Sequence, residues 1–162
     1  MPNDSSKTRR ISDPSVSDLP FIDEHVQIVD APTDALWAAL LRVLARQPHA
    51  SARLARVLAA NPARGTTEFT GSPGQTIPGF LIAEASHGRH LALSGRHRFA
   101  TYRLTFLIDG PKLRAQTFAE FPGLLGRIYR GLVITSGAHR LITRHLLRTV
   151  ARVARHTPAL LA

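Results

Sequence analysis

Apolar and polar positions divide the chain into alternating and helical regions. Alternation from Phe21 to Val29 predicts a first strand. Leu and Trp residues at helical spacing over residues 36–44 predict a first helix, which begins at the Pro and Asp residues of 30–34. Residues 51–60 predict a second short helix that stops at Asn61-Pro62.

A period of two returns beyond Gly65 and predicts an antiparallel sheet. The expected strands cover residues 65–70, 78–86, 89–97, 99–109 and 112–121. The intervening Gly, Pro and Asp residues are typical of turns. Together with the first strand these make six.

The C-terminal region is helical in period from Pro122-Gly123 to about Arg155. One stripe is apolar or small: Leu124, Ile128, Leu132, Thr135, Ile142, Leu146, Val150 and Val153. The opposite stripe is basic: Arg140, Arg144, Arg148, Arg152 and Arg155. The pattern predicts one long amphipathic helix of about 45–50 Å, at about 1.5 Å per residue.

Length and composition favour a single domain. The 162 residues fit one domain over 20–157, preceded by a polar, flexible tail over 1–19. No apolar run approaches the roughly 20 residues of a membrane-spanning helix, and the polar start predicts no secretion signal. The absence of cysteine fits a reducing cytoplasm, so we expect a cytoplasmic protein.

The net charge of +10 favours an anionic partner. Nearly all of this charge is Arg, which a GC-rich genome would also explain. The sequence contains no recognised nucleic-acid module and no aromatic platform among its basic residues. We therefore do not expect nucleic acid, whereas an acidic protein or an anionic membrane stays open.

Two segments resemble a known superfamily. The entry Val26-Gln27-Ile28-Val29-Asp30-Ala31-Pro32-Thr33-Asp34-Ala35-Leu36-Trp37 and the junction Phe118-Ala119-Glu120-Phe121-Pro122-Gly123, in this element order, resemble the START-like or SRPBCC superfamily. It includes polyketide cyclases and dehydrases, lipid-transfer domains and pollen-allergen relatives.

The resemblance implies an α+β helix-grip fold. A curved antiparallel sheet of six or seven strands would wrap around a long C-terminal helix, with two short helices after the first strand. A seventh strand would lie near Gln75–Ile77. The resemblance also implies a cavity between the sheet and the last helix.

Candidate ligand contacts follow from this expected cavity. They are His97, Tyr102, Leu104, Phe106, Ile128, Leu132, Thr135, His139 and Ile142. The small residues 135–138 would leave room for a ligand, or else mark close packing or a kink at Ser136-Gly137. The imidazoles and the phenol would contact a ligand oxygen, or else be satisfied by neighbouring groups.

Other chemistry has little support in the sequence. The scattered histidines lack metal-ligand spacing, and nucleotide-binding loops and a hydrolase elbow are absent. We therefore expect no metal and no cofactor, and we assign no catalytic residue. Glutamates in the strands, such as Glu84, are expected to pair with arginines on the outer face of the sheet.

Three functions stay open. The first is non-enzymatic binding of a hydrophobic small molecule, lipid or polyketide-like. The second is a cyclase or dehydratase, which requires at least two of His139, His97 and Tyr102 to converge on one ligand atom. The third is a basic adaptor that docks an acidic partner or anionic membrane through Arg140, Arg144, Arg148, Arg152 and Arg155. A monomer and a homodimer are both compatible with the sequence.

Overall fold

The structure is a computed structural model that describes residues 18–46 and 49–156. The predicted tail, residues 1–19, lies outside these ranges except for Asp18 and Leu19. Leu19 is already buried. The extents of the tail and of the domain stay predictions.

A six-stranded antiparallel sheet and a set of helices make up the described chain. The strands are β1 (Phe21–Ile28), β2 (Thr76–Ile77), β3 (Phe80–Ser86), β4 (His90–His97), β5 (Ala100–Asp109) and β6 (Lys112–Glu120). The helices are α1 (Thr33–Ala45), α2 (His49–Val57), α3 (Gly123–Arg130) and α4 (Ala138–Arg155), with a π-helical turn at Gly131–Thr135. The strand order is β1-β6-β5-β4-β3-β2.

The predicted strand at residues 65–70 is wrong. The sixth strand is β2, inside the segment where an additional strand was expected. The reason lies in Gln75, whose Oε1 accepts hydrogen bonds from the amides of Thr70, Gly71 and Ser72 at 2.8–3.1 Å. Its Nε2 donates to the Glu68 carbonyl at 2.8 Å. One side chain thus satisfies backbone groups that would otherwise require a neighbouring strand.

The core lies between one face of the sheet and the helices α1 and α4. Phe106 and Leu113 from the sheet, Leu36 from α1 and Leu147 from α4 are all fully buried there. We call this side of the sheet the helix-covered face. Phe106, predicted as a ligand contact, is a core residue packed among its neighbours.

The predicted single C-terminal helix is wrong, because it is interrupted at residues 131–137. After the π-helical turn, Gly137 adopts a left-handed conformation with φ of 80°. The Ser136 hydroxyl donates to the Leu132 carbonyl, which closes the end of the turn. The expected alternative, a kink at Ser136-Gly137, is confirmed.

The interruption also shifts which side of α4 is buried. The buried positions are Thr143, Leu147, Val150, Ala151 and Ala154. The predicted apolar stripe, which assumes an unbroken helix from Leu124, contains Ile142 and Leu146. Each of these precedes a residue that is actually buried, Thr143 or Leu147, by one position. Ile142 is therefore exposed and Leu146 only partly buried.

Candidate functional site

Strand β1 turns its polar side chains toward the helices. Asp23, His25 and Gln27 are the register partners of Thr117, Ala115 and Leu113 on β6. Because directly opposed residues share a face and Leu113 belongs to the core, these polar side chains lie on the helix-covered face. The apolar Val26 and Ile28 point the other way and are exposed.

Four polar side chains meet on this face. They are Asp23, His25, Thr117 and His139, and we call them the Asp23 cluster. Thr117 Oγ1 and His139 Nε2 are hydrogen-bonded at 3.0 Å. The two carboxylate oxygens of Asp23 lie 3.3 Å from His25 Nε2 and 3.5 Å from His139 Nε2. The side chains of Asp23 and His139 are only 13% and 21% exposed.

Two buried atoms of the Asp23 cluster have no hydrogen-bond partner within residues 18–46 and 49–156. They are Asp23 Oδ1 and His25 Nε2. The contact of His25 Nε2 with the Asp23 carboxylate and the contact of Asp23 Oδ1 with the His139 ring therefore lack hydrogen-bond geometry. Both atoms keep only longer electrostatic contacts, at 3.3 and 3.5 Å, so the cluster leaves hydrogen-bonding capacity unused.

Opposing effects act on the pKa of the His139 imidazole within the cluster. Burial lowers the pKa of its imidazole, the carboxylate of Asp23 raises that pKa, and nearby His25 lowers it. The net direction is downward, which favours a neutral imidazole at neutral pH. In that form the ring can donate through one nitrogen and accept through the other.

A second group of side chains, the aromatic cluster, lies at the end of the sheet beside α3. It comprises Phe80, His97, Phe99, Tyr102 and Tyr129. Its ring centroids are 4.9–6.1 Å apart between neighbours.

The polar atoms of the aromatic cluster are engaged within the protein. Tyr102 Oη donates to the Gly79 carbonyl at 2.7 Å, and His97 Nδ1 accepts from the Phe99 amide at 3.1 Å. Burial, with a smaller contribution from Tyr129, raises the pKa of Tyr102 to about 12. Burial lowers the pKa of His97. Both side chains are therefore neutral at neutral pH.

The two clusters adjoin across Leu104. In the register, Leu104 opposes Thr117, while Tyr102 opposes Ala119 two residues along. Leu104 is partly buried. His97 and Tyr102 are neighbours in the aromatic cluster, whereas His139 belongs to the Asp23 cluster. The three polar candidates therefore do not contact one another as a single group.

The structure places four predicted cavity residues at the surface. Ile128, Leu132 and Ile142 are 54%, 68% and 67% exposed, and Thr135 is exposed as well. Their expected enclosure between helix and sheet is not what the structure shows. Ile128 precedes the interruption, on helix α3, whose buried residue is Gly126, whereas Ile142 follows the interruption on a side of α4 that faces away from the core.

The predicted basic surface is present. Arg140, Arg144, Arg148, Arg152 and Arg155 are all exposed. The last three of them, with Gln27 and His156, line a pocket of about 240 Å³ near the end of α4. The expected pairing of Glu84 with an arginine is also found, since Arg103 Nη2 lies 3.2 Å from its carboxylate.

Among residues 18–46 and 49–156, no three His, Asp or Glu side chains form a group that could hold a metal ion. Across these same ranges, no helix has the length and apolarity needed to cross a bilayer.

Sequence reasoning missed Asp23, His25, Gln27 and Thr117. For the β1 residues the available signal was the strand itself, where Asp23, His25 and Gln27 alternate with a second set made of Ile22, Glu24, Val26 and Ile28. Alternation alone does not say which set faces the helices.

Comparison with known proteins gives structural likeness only. No family model and no curated protein sequence matches the chain. It is similar to the solved structure of protein MLL2253 from Mesorhizobium loti, with 14% identity, 83% of this chain and 97% of that chain covered, and a TM-score of 0.49. It is also similar to Ara h 8.0201, with 9% identity, coverage of 83% and 97%, and a TM-score of 0.45. A further similar structure is CalU16 from Micromonospora echinospora, with 15% identity, coverage of 85% and 85%, and a TM-score of 0.33.

These likenesses identify no ligand and no reaction. The fold rests on this chain's own architecture: two helices after the first strand, an antiparallel sheet in the order β1-β6-β5-β4-β3-β2, and a C-terminal helix packed on β1 and β6. The chain therefore has the α+β helix-grip architecture that the sequence predicted, with an interrupted C-terminal helix.

Proposed function

We propose that this protein binds a hydrophobic small molecule that carries a hydroxyl group, and that the Asp23 cluster recognises the hydroxyl. The observation that carries the proposal is a pair of buried atoms, Asp23 Oδ1 and His25 Nε2, that have no hydrogen bond to any residue in the described part of the chain. Buried polar groups in folded proteins are nearly always satisfied. A ligand group that satisfies both atoms would convert an unfavourable feature of the free protein into binding free energy.

A hydroxyl group suits these atoms better than other polar groups. Asp23 Oδ1, when ionised, only accepts hydrogen bonds, whereas His25 Nε2 donates or accepts according to tautomer. A hydroxyl both donates and accepts, so it matches either state of His25. A ligand carboxylate would be repelled by Asp23 at short range.

The hydrophobic part of the ligand would lie toward Leu104 and the aromatic cluster. Leu104 is partly buried beside Thr117 on the same face of the sheet. Beyond it, Tyr102 and His97 have their polar atoms engaged, so their rings offer mainly apolar surface. His139 follows the helix interruption at Ser136-Gly137 directly, and this interruption would give the ligand its way in.

Binding is favoured over the cyclase or dehydratase alternative. That alternative needs at least two of His97, Tyr102 and His139 to act on one ligand atom. The Tyr102 hydroxyl already donates a hydrogen bond to the Gly79 carbonyl, and a pKa of about 12 makes it a poor acid or base at neutral pH. His139 lies in the other cluster, so the observed contacts support recognition and not proton transfer.

The test uses two fluorescent probes that differ in hydrogen-bond donation, naphthol and methoxynaphthalene. Direct titration of the whole protein should give tighter binding of naphthol by about tenfold, the effect of one hydrogen bond to a charged group. Asp23→Ala should abolish this preference. Asp30→Ala, which removes an exposed carboxylate, should leave it intact.

Three outcomes would contradict the proposal. Failure of both probes to bind rules out a hydrophobic ligand of this size. Equal binding of the two probes rules out hydroxyl recognition. Equal effects of Asp23→Ala and Asp30→Ala rule out the Asp23 cluster as the site.

A further inference from the structure

A separate site is formed where the end of α4 meets strand β1. The pocket of about 240 Å³ is lined by Gln27, Arg148, Arg152, Arg155 and His156. Its volume lies below the roughly 300–1,000 Å³ of pockets that enclose drug-sized ligands. It therefore suits a small group, not a whole hydrophobic molecule.

The pocket concentrates positive charge at the end of α4. Arg148 and Arg152 are four residues apart, and Arg152 and Arg155 are three apart, so like charges are neighbours on the helix surface. Such pairs destabilise a helix. Within residues 18–46 and 49–156, none of the three arginines has a carboxylate partner. A bound anion would relieve this repulsion.

The helix dipole explains only part of the arrangement. Basic residues in the last turn of a helix are favourable, which accounts for Arg152 and Arg155. It does not account for Arg148, one turn earlier, or for Gln27, which comes from another element. Gln27 brings a polar side chain of β1 to the same pocket.

Several polar groups at the pocket are already held in place. Arg155 Nε donates to the Ala151 carbonyl at 3.3 Å, and His156 Nδ1 lies 2.7 Å from the Arg152 carbonyl. Gln27 Nε2 donates to the Ile28 carbonyl at 3.0 Å. These bonds leave the terminal guanidinium nitrogens, one Gln27 amide proton and His156 Nε2 for a ligand. The guanidinium nitrogens and the amide proton are hydrogen-bond donors for an anion.

We propose that this pocket binds a phosphoryl group. Planar guanidinium forks match the oxygens of a phosphate and form paired, charge-assisted hydrogen bonds with it. The same phosphoryl chemistry occurs in soluble phosphate monoesters and in a phospholipid headgroup. The pocket shares no residue with the Asp23 cluster. Arg152 lies 13 residues beyond His139 on α4, about 20 Å along the helix, although Gln27 is only two residues from His25 on β1.

The experiment is calorimetric titration of the full chain with inorganic phosphate and with glycerol phosphate. Saturable binding of one anion per chain is expected. Arg152→Gln should weaken it by about tenfold or more, as expected for loss of a charge-assisted contact. Arg140→Gln removes the same charge from an exposed position of the same helix outside the pocket, and it should change affinity less than twofold. Equal melting temperatures would show that both variants keep the fold.

Vesicle flotation distinguishes the two sources of the phosphoryl group. Binding to phosphatidylcholine vesicles only when phosphatidic acid is present, and its loss in Arg152→Gln, would assign the pocket to a lipid headgroup. Binding of the soluble anions without vesicle binding would assign it to a soluble phosphate compound. The proposal is overturned if inorganic phosphate shows no saturable binding, or if Arg140→Gln weakens binding as much as Arg152→Gln. Either result would indicate diffuse attraction to a basic surface.

Discussion

Thr117 Oγ1 lies 3.0 Å from His139 Nε2, so a side-chain hydrogen bond joins strand β6 to the first turn of helix α4. Thr117 is almost fully buried. The bond fixes the start of α4 on the sheet directly after the helix interruption. It also holds the imidazole of His139 beside the carboxylate of Asp23.

Replacement of Thr117 by Val tests this connection. The side chain keeps its shape but loses the hydroxyl, which leaves His139 Nε2 without its partner. We expect the free energy of unfolding to fall by about 1 kcal/mol, measured by urea denaturation. Thr149→Val is the matched control, because its hydroxyl donates only to the His145 carbonyl within the same helix, and it should change stability by less than about 0.5 kcal/mol. Equal losses in the two variants would argue against a special role for the Thr117–His139 bond.

Stability should fall on acidification because of His139. Its pKa in the folded protein is lowered from the ordinary value of 6.5, so the unfolded chain binds more protons than the folded chain in this range. The stabilisation is present above pH 6.5 and is lost as pH falls through the folded-state pKa. His97 has the same sign.

The pH dependence of urea denaturation in His139→Gln checks this. Gln has no charge to gain, so the variant should show a shallower loss of stability between about pH 7 and pH 5. The slope should not vanish, because His97 is still present. His145→Gln, which removes an exposed histidine, should keep the slope of the parent protein. A parent-like slope in His139→Gln would refute the assignment.

The Asp23 carboxylate should hold the pKa of His139 up. Its charge and its contact at 3.5 Å both oppose the lowering caused by burial. Asp23→Asn should therefore lower the pKa of His139 further, which a titration of imidazole resonances by NMR would measure. Asp30→Asn, at an exposed position, should leave that pKa unchanged. A rise in the pKa of His139 in Asp23→Asn would contradict the proposed electrostatic balance.

The strands were predictable where turn chemistry and alternation agree. Residues 78–121 contain such turns at His87-Gly88 and Asp109-Gly110-Pro111, and β3 to β6 follow the expected order with small shifts at their ends. At residues 65–70 alternation was misleading, because the side chain of Gln75 satisfies the loop backbone there. A local contact of this kind has no periodic signature.

The candidate site was harder to predict than the fold. Alternation in β1 predicts a strand but does not determine its orientation, which is set by pairing with β6 and by the position of α4. The Asp23 cluster combines residues from β1, β6 and α4, separated by up to 116 positions in the sequence. His139 was identified as a candidate, but its partners depend on these long-range pairings.

The prediction of which α4 residues are buried was wrong for a different reason. A helical wheel assumes one continuous rotation, whereas the π-helical turn and Gly137 change the phase between α3 and α4. Ser136-Gly137 was recognised as a place where a kink is expected. The direction of the resulting phase change could not be read from residue types.

Gly137 should be required for this interruption. Its φ of 80° is unfavourable for residues with a Cβ, although a Cβ there would meet no atom within 4 Å. Gly137→Ala should therefore destabilise the protein by about 1–2 kcal/mol through backbone conformation alone. Gly131 also has open space around it, but its φ of −56° and ψ of −46° are helical. Gly131→Ala should stabilise the protein by about 0.5–1 kcal/mol. Urea denaturation of both variants measures these opposite signs, and stabilisation by Gly137→Ala would show that the helix runs through this position without a left-handed residue.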